Sequence, residues 1–288
     1  MSAAVLKLVQ GSSEWHAHRA QFRNASESAA VMGLNPWQTR YQLWLVRTGR
    51  MEVTVTAPMQ HGTQMEPAAR AAYEEKTGLI MQPLVLTDGA YSASLDGITL
   101  DGDLIVEIKC PYKGQASALW QSVSVGEVPE HYAIQVQHQL MVSGAKLAHL
   151  FVFDGSTGLL VEIQRDAACM AAIRAAWNGF QQYLDTDTPP PLTERDTVER
   201  SDPAWQLAAG LYVEAKRKAE EATESLDRAR ERLVGLASHA SESGHGVQVT
   251  RFWKQGNVEY KRIPALKTVQ LDDYRAAGRV EVRVSVAK

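Results

Sequence analysis

Cysteine is nearly missing from this sequence. Cys110 and Cys169 are the only two in 288 residues, too few for a disulfide framework, so a reducing compartment is expected. Long apolar runs are missing too. None approaches the ~20 residues needed to cross a bilayer, and the first residues carry no signal-peptide pattern, so a cytoplasmic protein without a membrane is expected. Finally, there is no excess of positive charge. A formal net charge of −3 gives no global attraction for a polyanion, so any nucleic-acid surface must be a local patch or depend on metal ions. What remains is ordinary globular composition, 45% hydrophobic and 22% charged, in a chain long enough for one large domain and an appendage.

Periodicity and punctuation predict helices over Ser26–Met32, Thr39–Thr48 (stopped by Gly49) and Met65–Lys76 (ending at Gly78). A strand over Leu79–Leu86 precedes a hairpin within Ser94–Pro111. Helices follow around Ser117–Val123 and over Tyr132–Val142, then strands over Leu147–Phe153 and Leu159–Gln164, then a helix over Asp166–Leu184. The run Thr188-Pro189-Pro190-Pro191 cannot continue a helix. It divides a domain of residues 1–188 from an appendage of residues 189–288. The order of elements suits an α/β fold with a mixed central sheet flanked by helices.

The hairpin carries the chemistry. With Asp101-Gly102 as its turn, facing residue numbers sum to 203 and Asp96 lies opposite Glu107. Facing Cβ atoms are roughly 4.5–5.5 Å apart, where two carboxylates repel unless a cation separates them. Lys109 shares the Glu107 face, whereas Val106 and Ile108 point the other way. The bland reading is an ion cluster neutralised by Lys109. However, Leu104-Ile105-Val106-Glu107-Ile108-Lys109 is otherwise apolar, which predicts burial on both faces and makes embedded charges costly without a partner ion. That favours a divalent-metal site with a lysine beside it.

The spacing Asp96…Glu107-Ile108-Lys109 resembles the Asp…Glu-x-Lys core of the PD-(D/E)xK nucleases, with Leu95 where the family name has proline. The surrounding Leu95-Asp96-Gly97, Glu107-Ile108-Lys109-Cys110-Pro111 and Ile134-Gln135-Val136-Gln137 are similar to the YqaJ-type viral recombinase and lambda-exonuclease branch. So is Trp15-His16-Ala17-His18-Arg19 leading to Asn24-Ala25-Ser26-Glu27. The resemblance spans roughly Ser12 to Leu184, with its motifs in the family's order.

This resemblance implies a restriction-endonuclease-like core and a Mg²⁺-dependent 5′→3′ exonuclease on linear double-stranded DNA. Such an enzyme releases mononucleotides and leaves 3′ single strands for phage-type recombination. Asp96, Glu107, the Ile108 carbonyl and Glu66 would hold one or two Mg²⁺ ions, with Mn²⁺ as a substitute. Oxygen ligands without His or Cys suit a hard cation and argue against zinc. Lys109 would orient or deprotonate the attacking water, or neutralise the phosphate, and Gln135 would lie beside the reaction centre, with Gln139 one turn on. Glu66 has a competing role, completing a capping box with Thr63. Pro67 argues against that cap and for a helix start near Glu66. Arg19 and Ser26, the latter as a helix N-cap, would hold the 5′-terminal phosphate, with Arg40 as a third basic candidate. His131, His138 and His149 have no convincing metal spacing and read as structural or surface residues. The implied partners are double-stranded DNA, a single-strand annealing protein and two further copies in a homotrimer, in a bacterial host carrying phage or prophage genes.

The appendage is expected to begin with a charged helix over Ala204–Ala237, in which Glu214–Arg232 interleaves six acidic with six basic residues. Beyond it, residues 250–288 hold nine Lys/Arg against four Asp/Glu. A hairpin over Val247–Ile263, turning at Gln255-Gly256-Asn257, mixes aromatic and basic residues as nucleic-acid surfaces do. Two other functions remain open at this point. One is an endonuclease of the same fold, which needs no end-phosphate pocket. The other is a non-catalytic DNA-binding recombination adaptor.

Overall fold

The computed structural model describes residues 3–253 together with 263, 264 and 269. Two compact units result, Met1–Thr197 and Val198–Lys288. In the first, the elements run β1 (Ala4–Leu6), α1 (Ser13–Gln21), β2 (Arg23–Asn24), a 3₁₀ turn (Ala25–Glu27), α2 (Ser28–Val31), α3 (Arg40–Arg47) and α4 (Ala57–Thr77). Then come β3 (Gln82–Asp88), β4 (Tyr91–Ile98), β5 (Leu104–Lys109), α5 (Ala118–Ser124), α6 (Glu130–Ser143), β6 (Leu147–Phe153), β7 (Gly158–Gln164) and α7 (Ala167–Asp185). Local chemistry sets the helix ends. Thr39 and Gln42 form a capping box at α3, the Asp166 carboxylate caps α7, and Gly78 and Gly144 end α4 and α6 in the left-handed conformation.

The seven strands form one mixed sheet in the order β1-β3-β4-β5-β6-β7, with β2 on β4. Most pairings are antiparallel; β5 with β6 and β2 with β4 are parallel. One face packs Leu95, Ile105 and Leu150 against α2, α6 and α7 through Val31, Leu140, Ile173 and Trp177. The other packs Val106, Ile108 and Phe151 against Ala69 and Tyr73 of α4. Strand β5 is therefore buried on both faces, as its apolar run predicts.

Two details of β4 matter for the site. First, its edge facing β5 is shared: Tyr91 and Ser92 pair with β2, Gly97 and Ile98 pair with β5, and the stretch between has no ladder partner on that side. Second, β4 carries one residue more than β3 between the rungs Gln82↔Ile98 and Leu84↔Leu95, so Asp96-Gly97 forms a bulge. The predicted register holds, with Gly97↔Val106 and Ile98↔Ile105. The turn is longer than a two-residue turn at Asp101-Gly102. Its last rung is the Thr99 amide on the Leu104 carbonyl, and the Asp101 carboxylate takes the Thr99 hydroxyl and the Asp103 amide.

Two further expectations are corrected. Helix α4 begins at Ala57, not near Glu66, and runs through Pro67. Pro67 and Thr63 both lie exposed, so water can take the Thr63 carbonyl that the proline leaves without an amide partner. Ser26 does not cap a helix. It sits inside the 3₁₀ turn, and Asn24 precedes that turn.

The second unit contains α8 (Pro203–Leu236) and a hairpin of β8 (Ser241–Gly244) with β9 (Val247–Thr250). Its turn is His245-Gly246, both at positive φ (49° and 81°), the conformation of a tight hairpin turn. β9 thus pairs back onto β8. The hairpin expected to turn at Gln255-Gly256-Asn257 lies outside the described residues. Among the described residues no helix is long and apolar enough to cross a membrane.

Candidate active site

Where β4 and β5 part, their side chains meet. Asp96 projects into the fork, and its Oδ2 accepts the Ile108 amide at 2.7 Å. A side chain thus replaces the next backbone rung. Glu107, on the α6 side of β5, is 2% exposed and holds three donors. Lys109 Nζ lies 2.5 Å and Gln135 Nε2 2.6 Å from its Oε1, while Gln139 Nε2 lies 2.5 Å from its Oε2. Gln135 and Gln139 are one turn apart on α6 and grip the two carboxylate oxygens separately. Gln139 also reaches the Ser94 carbonyl at 3.4 Å, across the gap in the β4 edge. The Lys109 ammonium sits 5.1 Å from the centroid of the Tyr132 ring, also on α6.

The charges are not independent. Burial, and then the negative charge of Glu107, push the Asp96 carboxyl well above its ordinary value; Glu66 adds to the rise, and Lys109 and the Ile108 amide only partly oppose it. For Lys109, burial favours the neutral amine, but Glu107 and then Asp96 outweigh it and hold the ammonium. Cys110 is raised to about 11, by burial first, and is an unreactive thiol at neutral pH.

Glu66 approaches from α4. Its Oε1 is 2.6 Å from Arg70, and Arg70 Nε donates to the Asp96 carbonyl at 2.7 Å. This arginine was not singled out from sequence, although it follows Glu66 by one helical turn. Among the described residues, no three His, Cys, Asp or Glu side chains converge as a ready metal cluster. The acids that sense one another are instead Asp96 and Glu107, with Glu66 turned to Arg70. The donor set suits a hard divalent cation, because two acids share one fork with a single lysine and a cation relieves what raises Asp96. Of the histidines, His138 and His149 are buried and structural. The Ser28 hydroxyl bonds His138 Nδ1 at 2.6 Å, and Tyr73 Oη bonds His149 Nδ1 at 2.7 Å.

A second cluster forms where α1 meets the 3₁₀ turn. Arg19 donates to Ser26 Oγ at 3.0 Å, lies 3.4 Å from Glu27 and stacks 4.7 Å from the Trp15 ring centroid. Arg47, with its side chain only 8% exposed, contacts the same Glu27 at 3.5 Å and donates to the Arg19 carbonyl. Two guanidiniums against one carboxylate leave a positive surplus beside an exposed serine hydroxyl, the electrostatics of an anion site. Arg47 and the anchoring role of Glu27 were not foreseen. Arg40 is turned inward, with Nε on the Val31 carbonyl at 2.8 Å.

Comparison with known proteins agrees with these motifs. Residues 14–146 match the model of the YqaJ-like viral recombinase domain. An alkaline exonuclease from Laribacter hongkongensis (LHK-Exo) is 28% identical, and the alignment covers 62% of this chain and 94% of the exonuclease at a TM-score of 0.52. Its complex with dAMP gives the same identity and coverage at a TM-score of 0.53. An uncharacterized protein of Bacillus subtilis, YqaJ, is 26% identical over 163 residues, 53% of this chain, and the match spans half of that relative's length. The resemblance read from the sequence is therefore shown over residues 14–146, the stretch that contains Asp96, Glu107 and Lys109. The chain has the mixed α/β fold of these exonucleases and is similar to the YqaJ-like viral recombinases.

Proposed function

We propose that this chain is a divalent-metal-dependent nuclease that degrades linear double-stranded DNA from 5′ ends, releasing mononucleotides. The observation that carries the reading is the fork at β4 and β5, where two carboxylates and a lysine face one another at the open end of a buried strand. The dAMP bound to the similar Laribacter enzyme is a DNA mononucleotide, the expected product class.

Asp96, Glu107 and the Ile108 carbonyl are the residues that would hold Mg²⁺ or Mn²⁺, with Glu66 reaching the site if it releases Arg70. Bound there, a divalent cation supplies an activated water and a counter-charge for the phosphate. The chain's own residues do the positioning. Gln135 and Gln139 fix both oxygens of Glu107, and the Ile108 amide fixes Asp96, so neither carboxylate has to reorganise. Lys109, held as an ammonium, orients the attacking water and stabilises negative charge gathering on the phosphate. Arg19 and Ser26 receive the terminal 5′ phosphate, with Glu27 and Arg47 keeping Arg19 in place.

The resemblance extends the proposal to a ring-shaped homotrimer, a single-strand annealing partner and a role in phage-type recombination in a bacterial cytoplasm. The deciding experiment offers linear duplexes with 5′-phosphate or 5′-hydroxyl ends, and covalently closed circles, with Mg²⁺ and with chelator. Mg²⁺-dependent loss of the phosphorylated linear duplex alone is the expected result. Cleavage of circles would point to an endonuclease, and no cleavage at all to a binding adaptor. Light scattering at one subunit mass would remove the trimer.

A further inference from the structure

The segment Leu34–Gln38 lies between α2 and α3 and carries Trp37, a residue 68% exposed. One exposed tryptophan is unremarkable. What sets this one apart is how firmly its backbone is held and what stands behind it. The Asn35 side chain accepts the amides of Trp37 at 2.8 Å and Gln38 at 3.0 Å. From the other side, Arg195 donates to the carbonyls of Asn35 and Pro36, each at 2.8 Å. The indole is thus presented to solvent on a clamped loop.

Its neighbours lead straight to the candidate active site. The Trp37 ring meets His131 edge to face, with centroids 4.9 Å apart, and lies 6.1 Å from Tyr132. His131 and Tyr132 are 4.1 Å apart, and Tyr132 is the ring beneath the Lys109 ammonium. An unbroken aromatic row therefore runs from the lysine to an exposed indole face. Burial, and then the charge of Lys109, favour the neutral His131 ring, so the row carries no cation that would make it a phosphate site. His131 Nε2 is buried and has no hydrogen-bond partner among the described residues. A neutral indole face on a fixed backbone, beside a phosphate-handling centre, suits the π-face of a nucleobase.

We propose that Trp37 stacks on an unpaired base of the DNA strand that feeds the fork, holding the frayed end open next to Lys109. The inference rests on the nuclease reading above and deepens it by naming the contact that separates the strand end.

The test measures fluorescence anisotropy, without divalent cation, on two duplexes that carry one unpaired 5′ nucleotide, either with its base or abasic. The wild type is expected to bind the base-bearing duplex roughly five- to 150-fold more tightly, the range of one base–aromatic stack. Trp37→Ala should erase that preference and Trp37→Phe should keep most of it. The melting temperature should stay unchanged, since the clamps grip backbone atoms. Equal weakening on both duplexes, or a preference that survives in Trp37→Ala, overturns the proposal; the second outcome would leave the indole to a protein partner. A wild type that binds neither duplex overturns this proposal and the nuclease reading together. A base preference lost in Trp37→Ala, with no Mg²⁺-dependent cleavage by the wild type, sinks only the nuclease reading.

Discussion

Replacing Asp96 by Asn tests the electrostatics of the fork without disturbing its geometry. The amide keeps an oxygen to accept the Ile108 N–H, so the bond that replaces the missing rung survives. What disappears is a carboxylate whose charged form is penalised by burial and by Glu107 more than Lys109 favours it. A facing like-charge pair costs about 0.2–1 kcal/mol, and partial desolvation adds to that, so a gain of about 1 kcal/mol is expected without metal. For a domain of this size that is a rise of about 2–4 °C in Tm. The pH dependence fixes the sign. A folded-state pKa raised above the ordinary 3.8 means that the native protein holds the proton more tightly, so Asp96 lowers wild-type stability as pH climbs from 3.8 through the raised value. The advantage of Asp96→Asn should therefore be largest at neutral pH and vanish in acid. Differential scanning fluorimetry in chelator, repeated with Mg²⁺, measures all of this. The wild type should gain stability from Mg²⁺, and the variant little or none. A lower metal-free Tm for Asp96→Asn would mean that attraction to Lys109 dominates, and the fork would then be a structural ion cluster.

Lys109→Ala should abolish cleavage and, because it leaves buried Glu107 without its cation, lower the metal-free Tm as well; normal turnover in a gel assay would refute its role at the reaction centre. Arg19→Ala should remove the preference for 5′-phosphorylated over 5′-hydroxyl ends without changing the Mg²⁺ response of Tm, and a retained preference would dissociate the Arg19–Ser26 pair from end recognition. Gln139→Leu should lower kcat by roughly tenfold or more while KM moves little, because it frees one oxygen of Glu107 rather than a substrate contact; equal falls in both would refute positioning. His138, held near 3 chiefly by burial, stays neutral in the fold while the unfolded chain protonates near 6.5. Acidification through that whole window should therefore cost on the order of 5 kcal/mol. His138→Asn should show a shallower acid limb in urea melts, and parallel limbs would refute the assignment.

Much of the site was legible because strand geometry is periodic. One turn signal and an apolar run placed Asp96 opposite Glu107, and the register came out as the turn predicts. Burial of Glu107 likewise followed from the apolar residues around it. Gly97 inside a strand was the readable sign of the bulge, since glycine in such a position marks irregular pairing. The start of α4 was misjudged because Pro67 looks like an obstacle until its exposure is known. Contacts between distant elements carried little sequence signal: Gln139 was readable only as one turn after Gln135, Arg70 only as one turn after Glu66, and the clamp on Trp37 not at all. Arg195 meets its acceptors from 159 or more positions away.

The bulge also sets a dimension. A Cβ on Gly97 would come within 2.7 Å of Met81 Cβ and 2.9 Å of Val106 Cγ1, so a side chain there would wedge β4 away from its neighbours. The width of the fork is thus gauged by a residue with no side chain, immediately next to Asp96. Few rungs join β4 to β5 beyond that point, and they are the hinge pins on which the spacing of two carboxylates turns. Such a short ladder can open without the rest of the sheet. Amide exchange at Gly97 and Ile108 therefore becomes a ruler for the site: any ligand that locks the carboxylate spacing should slow it, long before the protein's global stability changes.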